Sequence, residues 1–150
     1  MREQPRLGRT PDRLKDRPTW LLGRAAARSS ALLSEAFASH GDGLRGYHYR
    51  LLAALDQFGP ASQADLGRDT GIDRSDVTAV LQELEARDLV AREEDPANRR
   101  RKIVSVTASG RQVLRRLDTV LDAVQEDLLA PLSETQRRQY AAIMARLGDG

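Results

Sequence analysis

Residues 60–107 read PASQADLGRDTGIDRSDVTAVLQELEARDLVAREEDPANRRRKIVSVT, and this stretch decides the fold. Ser62 precedes Gln63-Ala64-Asp65-Leu66, an acidic residue three places after a hydroxyl, which is a capping box with Asp in place of Glu. Gly71 stops the short helix so begun. Asp73 is the next N-cap candidate, and Val77, Val80, Leu81 and Leu84 follow as one stripe of a helix running to about Arg87. Leu89 to Glu93 and Arg101 to Val106 are short β-prone runs on either side of Asp95-Pro96-Ala97-Asn98, a cluster of turn formers, so they pair as a hairpin.

A short helix, a tight turn, a second helix and a basic hairpin in this order make a winged helix-turn-helix, a mainly α fold with a small β-hairpin wing. In that layout the second helix enters the major groove of duplex DNA while its apolar stripe holds it to the domain. At about 100° per residue, Ser75, Ala79, Gln82 and Ala86 fall opposite the stripe, flanked by Arg74 and Thr78. Small and hydrogen-bonding side chains let a helix come close to base edges: Gln82 suits adenine, and Thr78 or Ala79 suits a thymine methyl. The expected major-groove set is Ser62, Gln63, Asp73, Arg74, Ser75, Thr78, Ala79 and Gln82. At the hairpin Arg99, Arg100, Arg101 and Lys102 are consecutive, and strand alternation turns two of the four toward DNA together. One arginine at the tip is expected in the minor groove, with its neighbours on phosphates. A solvated surface explains the basic run alone, and an ordinary exposed face explains the helix alone; their succession speaks for DNA.

Helices extend the pattern outward. From Thr19 to about His40, Trp20, Leu21, Ala25, Leu32, Leu33, Ala36 and Phe37 recur near helical spacing, with Thr19 a candidate N-cap. Gly41-Asp42-Gly43 breaks this helix, after which Leu44, Tyr47, His48, Leu51, Leu55 and Phe58 share one face as far as Gly59-Pro60. Downstream, Thr107 caps a helix carrying Val113, Leu114, Leu117, Leu121, Val124 and Leu128, and after Pro131 a capping box of Ser133 and Gln136 opens a last helix with Tyr140, Ile143, Met144 and Leu147. Residues 1–17 read as a disordered basic tail, and 18–150 as one domain. Its winged-helix lobe covers about 44–110, between helices at about 19–40 and 111–147.

Composition narrows the function. The absence of cysteine removes disulfides, thiolate nucleophiles and thiolate zinc sites. The 24 basic residues face 22 acidic ones, but Lys15 and Lys102 are the only lysines. An arginine bias suits phosphate and base-edge recognition, and a GC-rich genome produces the same bias without functional meaning. No stretch approaches a membrane span and no apolar core follows the N-terminal arginines, so a cytoplasmic protein without membrane contact is expected. His40 and His48 are the only histidines, and no nucleophile-and-base spacing, Gly-rich phosphate loop or metal pattern accompanies them. Neither catalysis nor a cofactor is expected.

The run from Tyr47 to Gly110 resembles the MarR family of transcriptional regulators. The likeness rests on Ala64-Asp65-Leu66-Gly67, on Gly71-Ile72-Asp73 with the helix after it, and on Leu84 to Arg92. Asp95-Pro96-Ala97-Asn98-Arg99-Arg100 and Val104 to Gly110 complete it. The resemblance implies a sequence-specific regulator of double-stranded DNA, more often a repressor. It also implies a homodimer whose first and last helices interlock, here Thr19 to His40 and Leu114 to Leu147, and hence a pseudo-palindromic operator with half-sites about 34 Å apart. The family's wing carries Asp-x-Arg, and here Asn98 and Arg100 hold those places. Asn98 is expected to accept a hydrogen bond from the Arg100 guanidinium without the charge, leaving a looser wing. The resemblance further implies a small aromatic or phenolic effector between the dimer layer and the lobe, with Trp20, Arg24, Tyr47, His48 and Arg50 as candidates. Trp20 and Tyr47 also lie on apolar stripes, where core or dimer contact is the plainer role, and His48 suits a satisfied helix histidine. A winged-helix module that binds protein without specific DNA binding is the alternative, since fold does not fix function.

Overall fold

Alternating helical stripes and one hairpin become seven helices and a three-stranded sheet in the computed structural model, which describes residues 9–150. Of the expected tail, residues 1–8 lie outside the described residues; within the remainder Asp12–Lys15 forms one helical turn, α1. Helix α2, Pro18–His40, starts with Pro at its first position, where the missing N–H has no helical partner to lose. Arg17 rather than Thr19 is therefore its N-cap. Helix α3, Gly46–Phe58, begins after Leu44, which is buried from the preceding loop. Phe58, placed by its spacing on the buried face, is 65% exposed, because as the last residue of α3 it lies past the part its neighbours cover.

The lobe follows. Strand β1, Ala61–Ser62, leads into α4, Gln63–Thr70, and Gly71 then turns the chain with φ 68°, a left-handed conformation that suits glycine. Helix α5, Arg74–Ala86, and the hairpin of β2, Val90–Asp95, with β3, Asn98–Val106, complete it. The sheet order is β1-β3-β2, all antiparallel, with Ala61 opposite Val104 and Val90 opposite Val106. Strand β1 leaves no mark in the sequence pattern, since two residues are too few to show alternation. The expected stripe of α5 is buried throughout and packs with Leu51, Leu52, Leu55, Leu66 and Val104 in one core. Gly110 lets the next helix close on this core: a Cβ there would collide with the carbonyl oxygen of Leu89.

Helix α6, Ala108–Leu129, is capped by Thr107 as expected and runs antiparallel to α2. Arg28 on α2 donates to the carbonyls of Asp127 and Leu128 at 2.9 and 3.0 Å, and Arg116 on α6 donates to that of His40 at 2.9 Å. Each arginine thus satisfies carbonyls in the last turn of the other helix, where no intrahelical donor exists. Helix α7, Glu134–Asp149, opens with the expected capping box but buries none of its residues. Tyr140, Ile143 and Leu147 lie open along it, as do Leu21 and Leu22 near the start of α2. Among the described residues no helix is long and apolar enough to cross a membrane.

Candidate nucleic-acid interface

Helix α5 has three working faces. Its stripe of Val77, Val80, Leu81 and Leu84 is buried in the lobe. Its outer face presents Arg74, Ser75, Ala79, Gln82 and Ala86, all exposed, with Thr78 half-buried among them. Its third side, Asp76, Ala79, Val80 and Glu83, borders a cleft. Asp73 takes the N-cap position and is exposed, but its side chain makes no capping bond.

The residues expected at the start of α4 divide. The Ser62 hydroxyl accepts from the backbone N–H of Asp65 at 3.2 Å and donates to the Asp65 carboxylate at 2.9 Å, and the residue is buried. Ser62 is therefore a cap at the end of β1 and not part of an open surface. Gln63 instead reaches across to α5, donating to the Thr78 hydroxyl at 3.3 Å, while that hydroxyl donates to the Arg74 carbonyl at 3.0 Å. Gln63, Arg74 and Thr78 thus meet at the outer face.

The wing departs from simple alternation. Glu94 pairs with Lys102 and Asp95 with Asn98, so Arg99, Arg100 and Arg101 bulge from β3 without ladder partners on β2. The turn is only Pro96-Ala97, and Asn98 to Arg100 belong to the strand instead of the tip. Asn98 accepts from the backbone N–H of Arg100 at 3.2 Å, not from its guanidinium as expected. The reason is local: an amide oxygen finds a fixed donor two residues on, without ordering a long side chain.

Charge divides within the basic run. Arg101 lies 3.0 Å from Asp65 and 4.0 Å from Asp95, and Lys102 lies 3.7 Å from Glu94. Arg99 and Arg100 are exposed and have no carboxylate partner among the described residues. Asp65, read above only as a capping residue, therefore organises this corner by joining α4 to β3. The Ser62 hydroxyl above all, helped by the guanidinium groups of Arg68 and Arg101, holds its carboxyl below the ordinary range, against an opposing desolvation second only to the Ser62 bond.

Between α2, α3, α5 and α6 lies a cleft of about 1260 Å³. Of the expected effector residues Tyr47, His48 and Arg50 line it; Trp20 and Arg24, near the start of α2, do not. Arg24 is exposed, and the buried indole N–H of Trp20 has no hydrogen-bond partner among the described residues. The Arg50 guanidinium sits over the Tyr47 ring, 5.5 Å from its centre. His48 is buried and doubly bonded, as a satisfied helix histidine should be: Nδ1 is 2.9 Å from the Arg45 backbone nitrogen and Nε2 is 2.6 Å from Glu83 Oε2. Tyr49, on the flank of the α3 stripe and not singled out by spacing, donates to Asp118 on α6.

This is the geometry of a DNA-reading lobe beneath a helical layer, and known proteins share it. The sequence model of the MarR family matches residues 42–101. A structure described as a probable transcriptional regulator from Pseudomonas aeruginosa superposes with a TM-score of 0.78 at 33% identity, covering 89% of this chain and 98% of that one. The chain belongs to the MarR family. A second structure, BpsR of Bordetella bronchiseptica, whose DNA binding is regulated by 6-hydroxynicotinic acid, gives a TM-score of 0.82 at 26% identity over 94% of this chain and 99% of that one. The transcriptional repressor NicR of Pseudomonas putida is 27% identical over 143 residues, 95% of this chain and 89% of NicR. As a MarR-family member the chain is a DNA-binding transcriptional regulator with a winged helix-turn-helix, and its relatives are regulators rather than enzymes.

Proposed function

We propose that this regulator is a homodimeric repressor that reads a pseudo-palindromic operator with α5 and releases it when a small aromatic acid or phenol enters the cleft. One observation carries the DNA reading: an exposed helix face of small and hydrogen-bonding residues stands beside two arginines whose charge no carboxylate among the described residues offsets. Arg74, Ser75, Thr78, Ala79 and Gln82 then enter the major groove, with Gln63 and Asp73 at its margin. Arg100 goes to the minor groove and Arg99 to phosphate, while Asn98, Arg101 and Lys102 hold the wing in shape.

Helix α7 supports the dimer. Sixteen residues of helix with nothing buried are marginal in water, and the apolar side chains of α7 and of the start of α2 need a second copy to cover them. The cleft supports the effector: Arg50 over Tyr47 offers a cation beside a flat ring, which suits an aromatic carboxylate. The regulation of BpsR by 6-hydroxynicotinic acid makes that compound the first probe. The cytoplasm, where the chromosome is reached directly, is the place of action.

The test is selection of duplexes from random sequence by the full-length protein, followed by titration with 6-hydroxynicotinic acid. A recovered inverted repeat, bound by two copies and released by the compound, is expected. Recovery of no preferred sequence overturns the reading and favours a protein-binding module.

A further inference from the structure

Two consecutive residues of α3 grip two different parts of the molecule. Tyr49 bonds Asp118 on α6, and His48 bonds Glu83 on α5. The two nitrogens of His48 have distinct tasks. Nδ1 accepts the backbone N–H of Arg45, which requires a bare nitrogen, so the ring proton sits on Nε2 and is donated to the Glu83 carboxylate. A neutral imidazole is thereby locked in one tautomer between the start of α3 and the side of α5.

The consequence lies in what else holds α5. Its apolar stripe is held by a non-directional force that sets no hydrogen-bond geometry of its own. The residues of its other polar ties, Thr78 to Gln63, Glu85 to Arg92 and, at its C-cap, Arg87 to Asp42, are not among those that line the cleft. Among the described residues the bond between His48 and Glu83 is the one polar tie of α5 that borders the cleft, and it joins a buried donor to a charged acceptor. A rotation of about 20° moves an atom about 5 Å from the axis by roughly 1.7 Å, enough to break a hydrogen bond to a base edge.

We propose that His48 is a positioning residue for DNA recognition, setting through Glu83 the rotation of α5 and so the angle at which Ser75, Ala79 and Gln82 meet the bases. The inference rests on α5 being the helix that reads DNA. It also places the joint where a molecule in the cleft reaches it.

The test uses the full-length protein, a duplex that it selects from random sequence, and a scrambled duplex of equal length; the readout is the ratio of the two affinities. Glu83→Ala is expected to lower that ratio about tenfold, on the scale of a lost base contact. Its melting temperature should fall, because the truncation leaves the buried Nε2 proton of His48 without its acceptor, so the ratio of affinities and not the melting temperature is the deciding readout. Glu83→Gln removes the same charge but keeps an acceptor for the Nε2 proton, and should hold the ratio within about twofold. His48→Asn keeps an acceptor near Nδ1 and loses the bond to Glu83, so it should match Glu83→Ala, and the double variant should lose no more than either alone. Nitrogen NMR of the imidazole, simple with two histidines in the chain, should show the proton on Nε2 of His48. An unchanged ratio in Glu83→Ala, equal losses in the Ala and Gln variants, or a proton on Nδ1 overturns the proposal. Failure of the wild type to select any sequence removes the underlying DNA reading and the proposal with it, and is seen before a variant is made.

Discussion

Tyr49 donates its hydroxyl to the Asp118 carboxylate across 2.6 Å, tying the first turn of α3 to α6 and so the lobe to the layer above it. The hydrogen bond to Asp118, then burial and the negative charges of Asp118 and Asp122, push the Tyr49 phenol up to about 12 from 10.0. A phenol raised in this way favours folding while it keeps its proton. Its contribution is complete below pH 10 and is lost as pH rises from 10 toward 12. Denaturant titrations across that window should show falling stability in the wild type and a flatter profile in Tyr49→Phe. At neutral pH the variant should be destabilised by about 1 kcal/mol.

The two halves of the basic run should behave differently. Arg100→Ala removes a cation with no carboxylate partner among the described residues and should weaken binding to every duplex, lowering the slope of log affinity against log salt by about 1. Arg101→Ala removes a partner of Asp65 instead, so it should leave that slope nearly unchanged while loosening the wing. Fluorescence anisotropy over a salt series separates the two. Equal slopes for both variants would show that Asp65 does not hold Arg101 when DNA is bound.

What was legible in the chain follows from the range of the interactions involved. The stripe of α5 repeats every turn, so Val77, Val80, Leu81 and Leu84 declare its buried side, and the exposed outer face follows by geometry. The caps at Ser62, Thr107 and Ser133 span three residues and were equally plain. The bulge at Arg99 to Arg101 was not, because register depends on the facing strand, and local turn bonding by Asn98 replaced the expected guanidinium contact. Ties such as His48 to Glu83 and Asp65 to Arg101, whose partners are 35 and 36 positions apart, exist only once the chain has folded. Trp20 and Arg24 are effector candidates through the family resemblance and their chemistry, and which side chains line the cleft is set by how α2 packs on α3 and α6, beyond the reach of spacing along one helix.

Gln82 tests base reading as distinct from affinity. Its amide is exposed on the outer face of α5, and the bidentate pairing open to it is with adenine. Gln82→Ala should lose about 1–3 kcal/mol of discrimination at one position in each half-site, with little change on a scrambled duplex. Repeating the selection with the variant shows this directly as one relaxed position in the recovered repeat. A repeat identical to that of the wild type would place Gln82 outside the groove.

The exposed apolar side chains of α7 decide the assembly. Ile143 and Leu147 are 57% and 63% exposed and four residues apart, hence on one face of the helix. If that face meets a second copy, a carboxylate there is left in an apolar contact without a partner, which costs far more than the same change in water. Ile143→Glu with Leu147→Glu should therefore convert a dimer to a monomer in sedimentation, while α3, α4 and α5 keep their fold because α7 contributes nothing to the lobe core. Operator affinity should fall at least tenfold, since one lobe alone reads one half-site. A monomeric wild type, or a double variant that sediments as the wild type does, would remove the dimer and the inverted repeat together.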